Sequence, residues 1–298
     1  MAGSDCKKMI EAGLKAADSG MLGEDKIWSR YSHDKVDIGE ELAKVIRTLS
    51  KALPLSLPMR ALSIGSSSEP QFRILETAFR GGLYLLDVDK KALDTVRERL
   101  ARQCTTHVMT IRDDYNKEFL NAGNTERFLK KRLGGRKVNL ITLHHSLYYS
   151  KECEWAAIFE NLYRKILAPK GAMHAVLMAS CSGDNQTTTW LYNHFAGKFC
   201  GCRNDQDMYV FKKELDRNPV FKNSGISIET HKVRFCVNDF ANFMAVVWML
   251  LLYPDVHKYT LKQREEITEF ILNRFWLKKK PLIQAQDHLI VYKGIGLT

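Results

Sequence analysis

Apolar residues recur at helical spacing in the first fifty positions, where Ile38, Leu42, Val45, Ile46 and Leu49 share one face before Pro54 and Pro58 interrupt it. From residue 60 onward, short apolar runs alternate with amphipathic stretches. The run RALSI (60–64) predicts a strand that ends at Gly65. Residues 71–80 place Ile74, Leu75, Ala78 and Phe79 on one helical face, and Gly81-Gly82 closes that helix. A second strand, LYLL (83–86), leads into Asp87. A helix follows over 90–102, with Ala92, Leu93, Val96 and Leu100 aligned. The same reading predicts a strand over 106–111, a helix over 119–133, a strand over 138–143 and a helix over 155–167. A turn at Pro169-Lys170-Gly171 then precedes a fifth strand over 172–179.

Five strands separated by helices predict an α/β fold, a mostly parallel sheet with helices on both faces. Beyond residue 180 the rhythm changes. A Ser/Thr/Asn-rich loop precedes Trp190, a long apolar helix covers 239–253, and a late strand over 288–292 is placed to close the sheet. The expected layout is an N-terminal helical lid over 1–57 and an α/β domain over 58–298, with a helical insertion at about 181–280. The Met-rich and aromatic run over 243–248 reads as core helix.

Composition narrows the class. At 298 residues and 45% hydrophobic content the chain has material for a large core, which excludes disorder as the main state. The longest apolar run, 243–253, is eleven residues and stops at Pro254, whereas a membrane span needs about 20. The N-terminus has no apolar stretch of the secretory kind, and the seven cysteines include no CxxC pair, so reduced thiols and a cytoplasmic location are expected. Cys200-Gly-Cys202 lacks nearby paired histidines, and no metal site is expected. The formal net charge of +11 admits a nucleic-acid partner. Its densest stretch, 117–137, holds seven basic and two acidic residues but also reads as a solvated helix face. A small-molecule acceptor is therefore favoured over RNA. Oligomeric state is left open.

The segment SIGSSSEP (63–70) carries the most chemistry. A buried strand ends in a glycine, small polar residues follow, and a proline suits the first helical turn. Such a turn offers backbone N–H groups and a helix N-terminus to an anionic group, though it also fits an ordinary strand-to-helix connection. Asp87, at the end of the next strand and 22 residues after Gly65, can accept hydrogen bonds from ribose hydroxyls; it could equally cap the helix at 90. A dinucleotide motif would need glycines where Ser67 and Pro70 stand, and no P-loop GK[ST] is present. An adenosyl ligand without phosphates tolerates this less bare loop, so S-adenosylmethionine fits better than NAD or ATP. No GxSxG, HExxH or kinase signature supports hydrolysis or phosphoryl transfer.

The order ALSIGSSSEP, YLLDVDKKAL, IRDDYNKEF, VNLITLHHSLYYS and LAPKGAMHAVLMAS resembles the class I S-adenosylmethionine-dependent methyltransferases over about 58–180, and hence a Rossmann-like sheet. LHHSLYYSKECEW and the loop before Trp190 more narrowly resemble histamine N-methyltransferase and its relatives. The resemblance implies that Gly65, Ser66 and Glu69 line the methionine end and that Asp87 holds the ribose. It also implies that Asp113 or Asp114 faces the adenine, and that His144 and His145 sit beside the sulfonium. The chain departs from the family at Ser67 and Glu69, where glycines are usual.

Methyl transfer needs an aligned, desolvated and deprotonated nucleophile, and histidine is suited to take the proton near neutral pH. Strand alternation implies that only one of His144 and His145 faces the crevice, and the resemblance selects His145. Tyr148 and Tyr149 can wall an acceptor pocket or start the packing of the next helix. Trp190 can cap the crevice. Tyr31 and His33 lie where a lid would begin and also fit a surface turn. The expected activity is methyl transfer to N or O of a small molecule. The alternatives are an RNA- or protein-directed methyltransferase, or a cofactor-binding protein of this fold without activity. Against RNA, LHHSLYY stands where nucleobase amino methyltransferases carry an Asn/Asp-Pro-Pro-aromatic tetrad.

Overall fold

The central strands are buried on both faces, as the uninterrupted apolar runs require of a parallel sheet covered by helices. The computed structural model describes residues 2–18, 28, 30–65, 72–252 and 258–296. The elements are α1 (Ala2–Ala16), α2 (Asp34–Ala52), β1 (Arg60–Ile64), α3 (Phe72–Ala78), β2 (Gly82–Asp87), α4 (Lys90–Arg102), β3 (Val108–Arg112), α5 (Tyr115–Phe119), α6 (Ala122–Arg132) and β4 (Val138–His144). They continue with α7 (Glu152–Asn161), β5 (Leu167–Met178), α8 (Thr188–Cys200), α9 (Met208–Arg217), β6 (Ser224–Arg234), α10 (Phe240–Leu252), α11 (Leu261–Ile271) and β7 (Ile283–Lys293). The strands form one seven-stranded sheet in the order β3-β2-β1-β4-β5-β7-β6.

Strands β1 to β5 are parallel to their neighbours. β7 runs antiparallel to β5: Ala179 N donates to Ala285 O near one end, and Gly294 lies against Pro169 near the other. The chain order reverses between β1 and β4, because β2 and β3 lie to one side of β1 while β4 and β5 lie to the other. The carboxyl ends of β1 and β4 are thus the switch point, the position at which open α/β sheets bind ligands.

The chain divides into two compact units. One comprises Met1–Lys35, Met178–Asp205 and His231–Gln286; the other comprises Val36–Leu177, Gln206–Thr230 and Asp287–Thr298. The second unit has two apolar layers. Leu42, Val45, Leu49, Leu75, Phe79, Val96 and Leu100 pack with alternate strand residues such as Ala61, Leu85 and Leu140 on one face. Phe119, Phe128, Trp155, Phe159 and Phe211 pack with Leu62, Leu86, Ile141 and Leu143 on the other. The strand alternation therefore sorts the chain's apolar residues onto two faces. The first unit is built around α10, whose residues are buried nearly all round. Its Trp248 Nε1 donates to Gly13 O at 2.8 Å. The run over 243–248 is thus core helix.

Three local expectations are corrected. The helix expected over 119–133 is two helices, because the Asn121 side chain accepts from the N–H groups of Gly123 and Asn124 and starts α6 afresh. Pro169-Lys170-Gly171 is not a free turn but a bulge within β5. Its register to β4 jumps from Val138–Leu167 to Leu140–Ala172, which pushes the proline off the ladder. Strand β6 was not expected, since only Ile226 and Ile228 mark an apolar alternation and its exposed face is polar. The loop expected before Trp190 ends at Thr187, whose side chain caps the Trp190 N–H in the first turn of α8.

No helix among the described residues is long and apolar enough to cross a membrane.

Candidate active site at the carboxyl edge of the sheet

The turn after β1 is held by geometry that only glycine meets without strain. Gly65 N donates to Leu86 O at 2.9 Å, and its φ of +66° lies in the left-handed region. A Cβ at this position would stand 2.5 Å from Cβ of Ser146, so the turns after β1 and β4 touch. Ser146 is only 2% exposed and its Oγ has no hydrogen-bond partner among the described residues. A buried hydroxyl left unsatisfied costs about 1–3 kcal/mol, so this atom marks a place where a polar ligand group would be welcome. Ser66 and Glu69 lie outside the described residues.

Asp87 ends β2. Its Oδ1 accepts from Asp89 N at 2.9 Å, while the cap of α4 is made by Asp89, whose Oδ1 accepts from Lys91 N at 2.7 Å. The capping alternative for Asp87 is thereby resolved in favour of its neighbour. After β3, Asp113 pairs with Arg132 at 3.1 Å, and Asp114 caps α5 through Asn116 N at 3.0 Å. Both acids have structural partners. Asp113 N donates to Asp87 O at 3.1 Å, which brings the two turns side by side.

The loop after β4 is pinned from α5. The Tyr115 hydroxyl donates to Ser146 O at 2.7 Å and meets Ser150 Oγ at 2.5 Å. Ser150 Oγ donates to Asn116 Oδ1 at 2.6 Å, and Asn116 Nδ2 donates to Tyr149 O at 2.9 Å. Burial raises the Tyr115 hydroxyl to about pKa 12, so it stays a neutral donor. Within this loop His145 adopts φ +51°, donates its N–H to Val176 O at 2.8 Å, and places Nδ1 3.4 Å from the Tyr148 hydroxyl. The His145 and Tyr148 rings lie nearly parallel, 6.0 Å apart. Tyr149 is 55% exposed.

His144 behaves differently. It is buried on the α2 face of the sheet, where Nε2 lies 3.1 Å from His174 Nδ1. His144, within β4, and His145, past its end with φ +51°, thus have different surroundings. His145 leaves the strand toward Tyr148, while His144 joins a row of buried polar groups.

The structure thus brings Gly65, Asp87, Asp113, Asp114, His144, His145, Tyr148 and Tyr149 to one edge of the sheet. The other three candidates lie in the first unit. Trp190 stacks on His194 with ring centroids 4.5 Å apart, and His194 stacks in turn on Phe270. The Tyr31 hydroxyl accepts from Asn242 Nδ2 at 3.0 Å, and Cys236 N donates to Tyr31 O. His33 is exposed. Sequence reasoning missed Ser146, His174, His288 and Asp37. The signal for the histidines was present, as each interrupts an otherwise apolar strand.

A mostly parallel sheet with this strand order, an antiparallel β7 and a glycine turn at the β1–β4 switch point is the Rossmann-like fold of methyltransferases. The chain superposes on YcgJ of Bacillus subtilis with a TM-score of 0.51 at 8% identity, covering 85% of this chain and 100% of that one. It also superposes on a provisionally assigned methyltransferase of Bacillus halodurans with a TM-score of 0.51 at 10% identity, covering 83% and 98%. At such identities the likeness is one of fold. No sequence-family model matches the chain, and no curated protein sequence matches it.

Proposed function

We propose that this protein is an S-adenosylmethionine-dependent methyltransferase acting on N or O of a small molecule. The observation that carries the reading is the Gly65 turn packed on Ser146. It lies at the switch point of a methyltransferase-type sheet, with a buried hydroxyl awaiting a partner and an acid, Asp87, at the next strand end. These residues fit the cofactor. Ser146 Oγ and the backbone about Gly65 suit the amino-acid portion, and Asp87 suits a ribose diol. When bound, S-adenosylmethionine supplies a methyl group on a sulfonium for in-line displacement.

The chain's own part is to bind, orient and accept a proton. Asp87 anchors the nucleoside. The Tyr115–Ser150–Asn116 network fixes the loop that carries His145 and Tyr148. His145 and Tyr148 offer a ring wall and polar atoms to the acceptor, which needs alignment more than chemical activation. A small acceptor, rather than RNA, is supported by the state of the basic stretch over 117–137. Lys130 pairs with Glu126 and Arg132 with Asp113, so part of that charge is already answered within the fold. The resemblance of LHHSLYY to the histamine N-methyltransferase group supports an amine acceptor.

The test is methyl transfer from labelled S-adenosylmethionine to a panel of small amines and alcohols, histamine included, read by mass spectrometry beside total RNA and a protein extract. Methylated small product supports the proposal. Labelling of RNA or protein alone would overturn the acceptor class, and cofactor binding without any transfer would overturn the activity.

A further inference from the structure

The turns that border the amino ends of β1 to β5, together with the end of β7, cover residues 51–59, 79–81, 103–107, 133–137, 168–171 and 293–296. They carry Lys51, Arg80, Arg136, Lys137, Lys170 and Lys293 and hold no aspartate or glutamate. By contrast, the carboxyl ends of β2 and β3 carry Asp87, Asp89, Asp113 and Asp114. Lys51, Arg80, Arg136 and Lys170 are exposed, and among the described residues none of them pairs with a carboxylate.

Several of these cations are held close together. Lys170 Nζ donates to Ala52 O at 3.1 Å, beside Lys51 in the chain. Lys137 Nζ donates to Arg164 O at 2.8 Å, and Lys293 Nζ donates to Tyr163 O at 2.6 Å, so two ammoniums sit on consecutive carbonyls. Burial, and after it Lys137, pushes the Lys293 ammonium down to about 8, while burial and Lys165 lower Lys137. Like charges crowded in this way favour the arrival of an anion.

The same edge carries an apolar tip. Leu57 N donates to Pro54 O at 3.0 Å and closes a turn with Leu55 and Ser56 at its corner. Leu55 is 100% exposed and Leu57 46%. The turn is anchored at both ends, because Leu53 and Met59 pack against the core. Gly81 backs onto its exit, where a Cβ would stand 2.2 Å from Pro58 O. Pro54 and Pro58 stiffen the backbone further. A single exposed leucine is ordinary, but two on a rigid turn beside unpaired lysines match a lipid interface, with cations for head groups and aliphatic carbon for the acyl boundary. A single-stranded nucleic acid would instead call for exposed rings on which bases stack. Phe79 is the only Phe, Tyr or Trp in these turns, and it is buried.

We infer that the amino edge of the sheet is a docking surface for an anionic phospholipid membrane, with Lys51, Lys170 and their neighbours against the head groups and Leu55 and Leu57 entering the interface. The contact lies at the opposite end of the strands from the candidate site, about 20 Å away along β4. It is independent of the methyltransferase reading and leaves the carboxyl edge open to ligands.

Sedimentation of the full chain with vesicles at physiological salt tests this. The wild type should bind vesicles of phosphatidylcholine with about one-third phosphatidylserine and leave pure phosphatidylcholine vesicles unbound. Each cation near such a surface contributes about fivefold, so Lys51→Gln/Lys170→Gln should bind about 10-fold or more weakly. Leu55→Ser/Leu57→Ser should also lose about 10-fold or more. Lys90→Gln/Lys117→Gln removes the same charge near the carboxyl edge and should stay within about twofold of the wild type. Melting curves show that each variant is folded. Failure to bind the anionic vesicles, equal binding to both kinds, or unchanged binding in either amino-edge variant would overturn the inference. So would an equal loss in Lys90→Gln/Lys117→Gln, which would reduce the effect to net charge. A single-stranded RNA bound through Lys51 and Lys170 in place of the vesicles would overturn it in favour of nucleic acid. Cofactor binding and methyl transfer are read separately, so their failure leaves this result standing.

Discussion

Gly65→Ala isolates the contact on which the candidate site is built. Two costs follow from the structure. An alanine held at φ +66° sacrifices about 1–2 kcal/mol of backbone energy. Its Cβ would lie 2.5 Å from Cβ of Ser146, far inside van der Waals contact, and such overpacking costs about 1–3 kcal/mol. Lower unfolded-state entropy returns about 0.4–1 kcal/mol. The net destabilisation is therefore about 1–4.5 kcal/mol. Chemical denaturation measures it, and S-adenosylhomocysteine affinity should fall in the same variant because the turn must shift. The two costs are separable. Adding Ser146→Gly removes the contact but not the φ strain, so the double variant should recover the packing share, seen as a coupling of about 1–3 kcal/mol. A Gly65→Ala protein as stable as the wild type, or strict additivity with Ser146→Gly, would refute the reasoning.

Three further outcomes are expected. Arg60, the buried first residue of β1, donates to the carbonyls of Leu133, Arg136 and Lys137 and contacts the Tyr84 hydroxyl. Arg60→Met should therefore cost about 2–5 kcal/mol in denaturation while leaving cofactor affinity unchanged in the folded fraction. His145→Ala should lower turnover by up to about 10²–10⁴-fold with cofactor affinity kept, and His145→Asn, which tolerates the left-handed backbone, should match it in turnover but melt higher. Burial against Trp190 and Phe270, and then Lys198, lowers the His194 pKa below its usual 6.5. The unfolded chain then binds the proton first as pH falls, so melting temperature should drop below about pH 6.5, and His194→Phe should flatten that drop; an unchanged slope would remove His194 as its cause.

The fold was legible where burial dictates pattern. The doubly covered strands RALSI, LYLL and VNLITL announced themselves because both faces are apolar, and α4 was bounded correctly by its aligned Leu93, Val96 and Leu100. Strand β6 was illegible because most of its residues are only half-buried or exposed, which leaves little periodicity to read. The turn after β1 and the acid ending β2 were readable at Gly65 and Asp87, since strand ends and glycines mark themselves locally. The histidine row was not, because His144, His174 and His288 are distant in sequence and meet only through the register of β4, β5 and β7. Ser146 was hidden for a similar reason, as its importance comes from the approach of Gly65.

The central claim is that the turn after β1 and the acid after β2 hold S-adenosylmethionine. Calorimetric titration of S-adenosylhomocysteine into the wild type and Asp87→Ala tests it most directly, with melting curves to show that both are folded. The account predicts saturable binding of one molecule per chain to the wild type and an affinity lower by about 10- to 150-fold in the variant, the effect of losing hydrogen bonds to a carboxylate worth about 1.5–3 kcal/mol. No binding by a folded wild type, or equal affinities in the two proteins, would contradict it.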